Sequence, residues 1–129
     1  MQEDLHFIVL IAKFDMRKFL IFTILSFNLQ TFAEDFVLGI DEIPVFQDME
    51  NVDDSFILFD SVNGRFVSSE LIGNVSEKDA KEFYNLVLPN LGWTKKKDGF
   101  FVREEEILEI SYKKEKGTLR VLFSILPKK

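Results

Sequence analysis

The sequence predicts an α+β domain: a curved antiparallel sheet in the order β-β-α-β-β-β-β, with one amphipathic helix on one face, after an N-terminal signal segment. Three observations carry this reading. Asn63-Gly64 lies between two apolar runs, Ser55–Asp60 and Arg65–Ile72. A helix start at Ser76 precedes apolar residues at helical spacing and a stop at Gly92. Leu119, Val121, Phe123 and Ile125 then alternate at period two.

The elements follow in chain order. Residues 16–33, MRKFLIFTILSFNLQTFA, open with the basic pair Arg17-Lys18, continue through an apolar stretch from Phe19 to Phe27 and end in Thr-Phe-Ala. This is the layout of a secretory signal cleaved after Ala33. The competing reading is a membrane anchor over Leu5–Leu29, but Lys13, Asp15, Arg17 and Lys18 fall within it. Each would cost roughly 2.5–3.5 kcal/mol near the centre of a membrane helix. Residues 1–15, whose Glu3 and Asp4 make a poor signal start, are expected to be an over-extended start.

Residues 34–60 carry nine acids and no base, and are expected to form an acidic lead-in over 34–54 ahead of the domain at 55–129. In the hairpin, Asn-Gly supplies the two positive-φ positions of a type I′ turn. With Asn63-Gly64 as the loop, Val62 faces Arg65, Asp60 faces Val67, Leu58 faces Ser69 and Phe56 faces Leu71. Phe56, Leu58, Val67 and Leu71 then share one face of the sheet, and Ile57, Phe59 and Phe66 the other.

Ser76 is a natural N-cap, and Ala80, Phe83, Tyr84, Val87, Leu88 and Leu91 form one stripe on a helix over Glu77–Leu91. The stripe is expected to bury Phe83, Tyr84, Val87 and Leu88. Pro89 tightens or kinks the last turn, and Gly92 suits the position just past the end. Strands follow at Trp93–Lys95, Phe100–Arg103, Ile107–Lys113 and Leu119–Ile125, turned at Asp98-Gly99 and Lys116-Gly117 and ended by Pro127.

Composition narrows the chemistry. The chain is acidic, with a net charge of −6, and gives no basic footprint for nucleic acid. It has no cysteine, which removes disulfides, thiol catalysis and thiolate metal sites. Its one histidine, His6, lies outside the domain, so histidine catalysis is unavailable there. No motif sets Ser68, Ser69 or Ser76 up as a nucleophile. Asp48, Glu50, Asp53 and Asp54 do not match a calcium loop, because Val52, Asp53 and Phe59 fall where ligands or glycine are required. Lys95-Lys96-Lys97 reads as the guard of an edge strand rather than a phosphate site. No cofactor or metal is expected.

Ile43-Pro44, Phe59-Asp60 followed by Gly64-Arg65, Phe83-Tyr84 with Leu88-Pro89, Leu91-Gly92-Trp93, and Phe101-Val102-Arg103-Glu104 together resemble an uncharacterised family of small exported alphaproteobacterial proteins. The resemblance covers most of residues 40–127, its densest part being the Phe-Tyr-x3-Leu-Pro-x-Leu-Gly-Trp pattern. Val62 departs from it, standing where the family would have proline or another turn former. The resemblance implies a periplasmic or secreted location and little else.

The expected function is a non-enzymatic module that binds a protein or peptide partner in the cell envelope, without nucleic acid and touching the membrane only through the signal segment. The alternative is a carrier of a small apolar or lipid ligand. The candidate interaction surface is Ile57, Phe59, Phe66, Asp60, Arg65 and Trp93, with Asp60 and Arg65 expected as an ion pair and Trp93 weighed between core and surface. Because one helix covers one face, Phe36–Phe46 is expected to lie across the other or its edge, covering Ile57, Phe59 and Phe66.

Overall fold

Alternation at period two places the centre of the sheet. In the computed structural model, which describes residues 35–129, Leu119, Val121, Phe123 and Ile125 of the strand Thr118–Pro127 are all fully buried. The strands are β1 (Phe36–Val37), β2 (Ile40–Pro44), β3 (Met49–Asn51), β4 (Ile57–Ser61), β5 (Gly64–Gly73), β6 (Thr94–Lys97), β7 (Phe100–Arg103), β8 (Glu106–Glu115) and β9 (Thr118–Pro127). Helix α1 (Glu77–Asn90) lies between β5 and β6. β9 pairs antiparallel with β5 on one side and β8 on the other, and the sheet runs β5-β9-β8-β7-β6. β3 and β4 both pair with β5, β4 with its first half and β3 with its last residues. The described chain is thus mostly antiparallel sheet with one α-helix, the fold class its sequence indicates. The expected start at 1–15 and signal at 16–33 lie outside the described residues.

α1 begins where its cap requires. Ser76 is extended, and its hydroxyl accepts the Asp79 N–H at 3.0 Å. The helix ends in a Schellman motif: Trp93 N–H donates to Leu88 O at 3.0 Å and Gly92 N–H to Pro89 O at 3.1 Å. Gly92 takes φ +90°, which a side chain would resist. Pro89 withholds an N–H from the carbonyl of Asn85, which lies on the exposed side of the helix where water can serve it. The buried stripe is Ala80, Tyr84 and Leu88. Phe83 and Val87, expected inside, are half-buried; Phe83 sits at the margin, its ring 4.9 Å from those of both Phe46 and Tyr84.

The acidic stretch is part of the fold rather than a lead-in to it. Val37, Ile40, Ile43 and Met49 belong to the same buried cluster as Tyr84, Leu88, Val67, Leu71 and Phe123. Phe36–Phe46 therefore packs on the helix side of the sheet, and the expectation that it covers Ile57, Phe59 and Phe66 is overturned. The cause is a polar anchor. The Tyr84 hydroxyl donates to Pro44 O at 3.0 Å and accepts the Phe46 N–H at 3.1 Å, so the end of the segment has its backbone satisfied beside α1, while Asn51 of β3 bonds Leu38 N–H and Phe36 O at its start. The described acids of the stretch are exposed except Glu42, which is half-buried; Asp41 is exposed between buried Ile40 and Ile43.

The hairpin differs from its expected register by two residues. Its pairs are Ser61↔Gly64, Asp60↔Arg65, Phe59↔Phe66, Leu58↔Val67 and Ile57↔Ser68, so the loop is Val62-Asn63. The Ser61 hydroxyl accepts the Asn63 N–H at 3.2 Å and donates to Gly64 O at 2.9 Å, closing the turn one position early. Gly64 alone takes a positive φ there, +133°. A shift of two leaves every side chain on its expected face, since side chains alternate at period two.

Candidate interaction surface

The side of the sheet away from α1 carries a transverse apolar row. Phe59 lies opposite Phe66, their ring centroids 6.1 Å apart. Leu126, one step beyond the Val67↔Ile125 pair, continues the row from Phe66 and lies opposite Ile107, which lies opposite Val102. Five adjacent strands thus each place one apolar residue in line, a span of roughly 19 Å at ordinary strand spacing. Ile57 and Leu122 flank it on the same side. Phe59 is 61% exposed, Ile57 62%, Leu122 39% and Phe66 38%. Phe66, Ile107, Leu126 and Pro127 line an open depression of about 830 Å³ with Asn63, Lys128 and Lys129. Ile107, Val102, Leu122 and Leu126 were missed from sequence. The available signal was phase: Leu122 and Leu126 are out of step with the buried Leu119–Ile125 series.

The two edges of the sheet differ in chemistry. β6 ends one side with Thr94 and three exposed lysines, and its pairing is irregular between Lys95 and Lys97. Lys97 Nζ lies 4.3 Å from the Phe100 ring, and Lys95 reaches Asp98 at 3.9 Å. β4 ends the other side with no lysine, proline or irregularity, and all five of its residues are exposed.

The expected Asp60–Arg65 pair does not form. The two residues lie opposite each other, but Arg65 donates from Nε and Nη2 to the two carboxylate oxygens of Glu106 at 2.7 and 3.2 Å. A planar guanidinium meets a carboxylate best in this two-pronged way. The Glu106 hydrogen bond, against a smaller effect of burial, raises the Arg65 pKa, with the charges of Glu106, Glu42 and Asp60 adding to it. Arg103 donates to Glu42 at 2.7 Å and to Leu91 O at 3.0 Å. The network of Arg65, Glu106, Arg103 and Glu42 ties β2, β5, β7, β8 and the end of α1 together. Burial raises the Glu42 pKa, but the Arg103 hydrogen bond, a backbone hydrogen bond and the charges of Arg103 and Arg65 outweigh it, and the carboxyl lies below its ordinary value.

Trp93 is not part of the exposed surface. It is 1% exposed, with the Arg103 guanidinium 4.3 Å from its ring centroid. Position fixes this: as the second residue past the helix end it must meet Leu88 in the core. Of the residues named from sequence, Ile57, Phe59 and Phe66 share the second face. Asp60 is exposed on the other face of β4, and Arg65 belongs to the ion-pair network.

Among the described residues no group of three or more His, Cys, Asp or Glu side chains is gathered as a metal site would need. No described helix is long and apolar enough to cross a membrane. Comparisons with protein families, with curated proteins and with solved structures find no match to this chain.

Proposed function

We propose that this chain is a small exported module of the cell envelope, periplasmic or secreted, that performs no chemistry of its own and binds a protein or peptide partner through the second face of its sheet. The observation that carries the reading is the row Phe59–Phe66–Leu126–Ile107–Val102 with Ile57 and Leu122 beside it. Side chains of this size in water forgo roughly 1.5–3 kcal/mol each of burial. A contiguous exposed patch of them is how soluble proteins mark an interface. Export is supported by the signal layout after Met16 and by the resemblance to exported proteins.

The test is affinity capture from an envelope extract with wild-type protein and with Phe59→Asp. A species retained by the first and lost by the second, while both proteins keep the same stability, supports the reading. Capture indifferent to Phe59, or a Phe59→Asp protein that unfolds, sinks it. Mass spectrometry of the native protein checks export, with Glu34 the expected mature N-terminus. The second reading is a small apolar ligand carrier, favoured by the depression at Phe66, Ile107 and Leu126. Native mass spectrometry of the freshly isolated protein with a bound lipid would favour it over the first.

A further inference from the structure

Among the described residues β4 has a free outer edge, and its chemistry states what fits there. The Ser61↔Gly64 pair closes a two-residue loop, so it exchanges its hydrogen bonds directly, and alternation does the same for Phe59 and Ile57. Leu58 and Asp60 then turn their N–H and C=O groups away from β5, and no described residue bonds them. Leu58 is 53% exposed on one face of β4 and Phe59 61% on the other. A strand added alongside would find apolar neighbours on both sides. The same sheet guards its opposite edge with Lys95, Lys96, Lys97 and an irregular pairing, the usual device against edge pairing. β4 has no such device.

Charge identifies the occupant. From Met49 to Ser61 this side of the sheet carries Glu50, Asp53, Asp54 and Asp60 and no base. Two copies of the chain, each at −6, would bring these carboxylates together edge to edge. A segment with basic residues at its ends meets Asp53-Asp54 at one end of β4 and Asp60 at the other. We propose that β4 is a strand-addition site, taking an extended partner segment that is apolar at its centre and basic at its ends. The inference rests on the binding-module reading and adds the contact mode, backbone pairing at an edge that continues the apolar row.

The test uses the full-length protein and two short synthetic peptides of alternating valine and threonine, one with lysine and one with glutamate at both ends. The expected result is binding of the lysine-ended peptide, with slowed amide exchange at Leu58 and Asp60. The glutamate-ended peptide should bind about tenfold more weakly, a difference that shrinks with added salt. Asp60→Lys, an exposed change that copies the guard on β6, should abolish binding at a small cost in stability, since it sets a like charge opposite Arg65. Leu58→Pro, which removes an outward N–H and one of the two apolar neighbours, should also abolish binding. Equal binding of the two peptides, protection elsewhere, or a concentration-dependent dimer dissolved by Asp60→Lys overturns the inference. Binding of neither peptide, while Phe59→Asp still strips a captured species, rejects the edge and leaves the face reading standing. Edge binding with capture indifferent to Phe59 rejects the face reading alone.

Discussion

The hydroxyl of Tyr84 donates to the carbonyl oxygen of Pro44 at 3.0 Å, forty residues earlier in the chain. It also accepts the Phe46 N–H at 3.1 Å, while its ring packs edge-on to Phe123, 5.1 Å between centroids. One side chain thus joins the helix, the acidic segment and the central strand. Tyr84→Phe keeps the ring and leaves two backbone groups unpaired, which should cost about 1–3 kcal/mol. Tyr84→Ala should cost about 3–5 kcal/mol, comparable to the whole stability of a small domain. Urea unfolding of both variants checks the order; a Tyr84→Phe protein as stable as wild type would mean the hydroxyl does nothing for the fold.

How this contact escaped the sequence shows where reading stops. Val37, Ile40 and Ile43 were legible as residues needing burial, but the face they choose depends on a tyrosine forty residues away. The same distance hid the Arg65–Glu106 pair, whereas Asp60 was the near neighbour by register. Local features were legible because their causes are local: the Ser76 cap, the Gly92 stop, the period of β9. The hairpin register erred locally, because the Ser61 hydroxyl closes the turn before Asn63-Gly64 can. Its two faces survived the error only because the slip was even. The exposed face was visible as Ile57, Phe59 and Phe66. Its extension through Leu126, Ile107 and Val102 required the strand order.

Both tyrosines of the chain are shielded, and alkaline titration should show it. Burial raises the pKa of Tyr84 well above the usual tyrosine value, against the hydrogen bond from Phe46 and with Tyr112 adding slightly. Burial also raises Tyr112, with the charges of Asp98 and Glu77 adding. A tyrosine whose folded pKa lies above its unfolded value contributes stability that is intact below about pH 10 and is lost as pH climbs beyond it. Tyrosinate absorbance should therefore stay near zero through pH 10 and rise together with loss of sheet signal. A smooth non-cooperative titration centred at pH 10 would contradict the burial of both rings.

Ser69 offers a gain. It is fully buried on β5, and its hydroxyl has no hydrogen-bond partner among the described residues. A buried hydroxyl without a partner carries a desolvation penalty of about 1–3 kcal/mol on mutational scales. Ser69→Ala removes the oxygen without adding volume, so stability should rise or stay level, by up to about 1 kcal/mol. A loss above that, read by thermal or denaturant unfolding, would show that the hydroxyl is bonded in solution.

The ion-pair network predicts acid sensitivity. Glu42 has its carboxyl below the ordinary value, so its contribution is present above about pH 4.5 and lost as pH falls further. Glu42→Gln should lower stability modestly at neutral pH, where that contribution is present, and flatten the stability–pH curve below that point. A double-mutant cycle of Glu42→Gln with Arg103→Gln should give a coupling of no more than about 1 kcal/mol, because both side chains are partly open to solvent. Zero coupling would mean the ion pair does not help to hold the segment.

The two faces of the sheet give the sharpest contrast. Phe123 and Phe59 are the same residue in strands of the same sheet, one fully buried under Tyr84 and the other 61% exposed opposite Phe66. Phe123→Ala opens a cavity in a core whose neighbours Val121 and Ile125 are also fully buried, and should cost about 3–5 kcal/mol. Phe59→Ser loses one cross-strand ring contact and some strand preference, and should cost less than about 1 kcal/mol in the isolated protein. The polar variant should also self-associate less at high concentration, since it interrupts the exposed row at its outer end. Paired denaturation curves and light scattering decide. If Phe59→Ser destabilises the monomer as much as Phe123→Ala, part of the chain covers the second face and the surface offers nothing to a partner. If Phe59→Ser unfolds at nearly the wild-type denaturant concentration, the face is open in solution, and the energy left unclaimed there is available for binding.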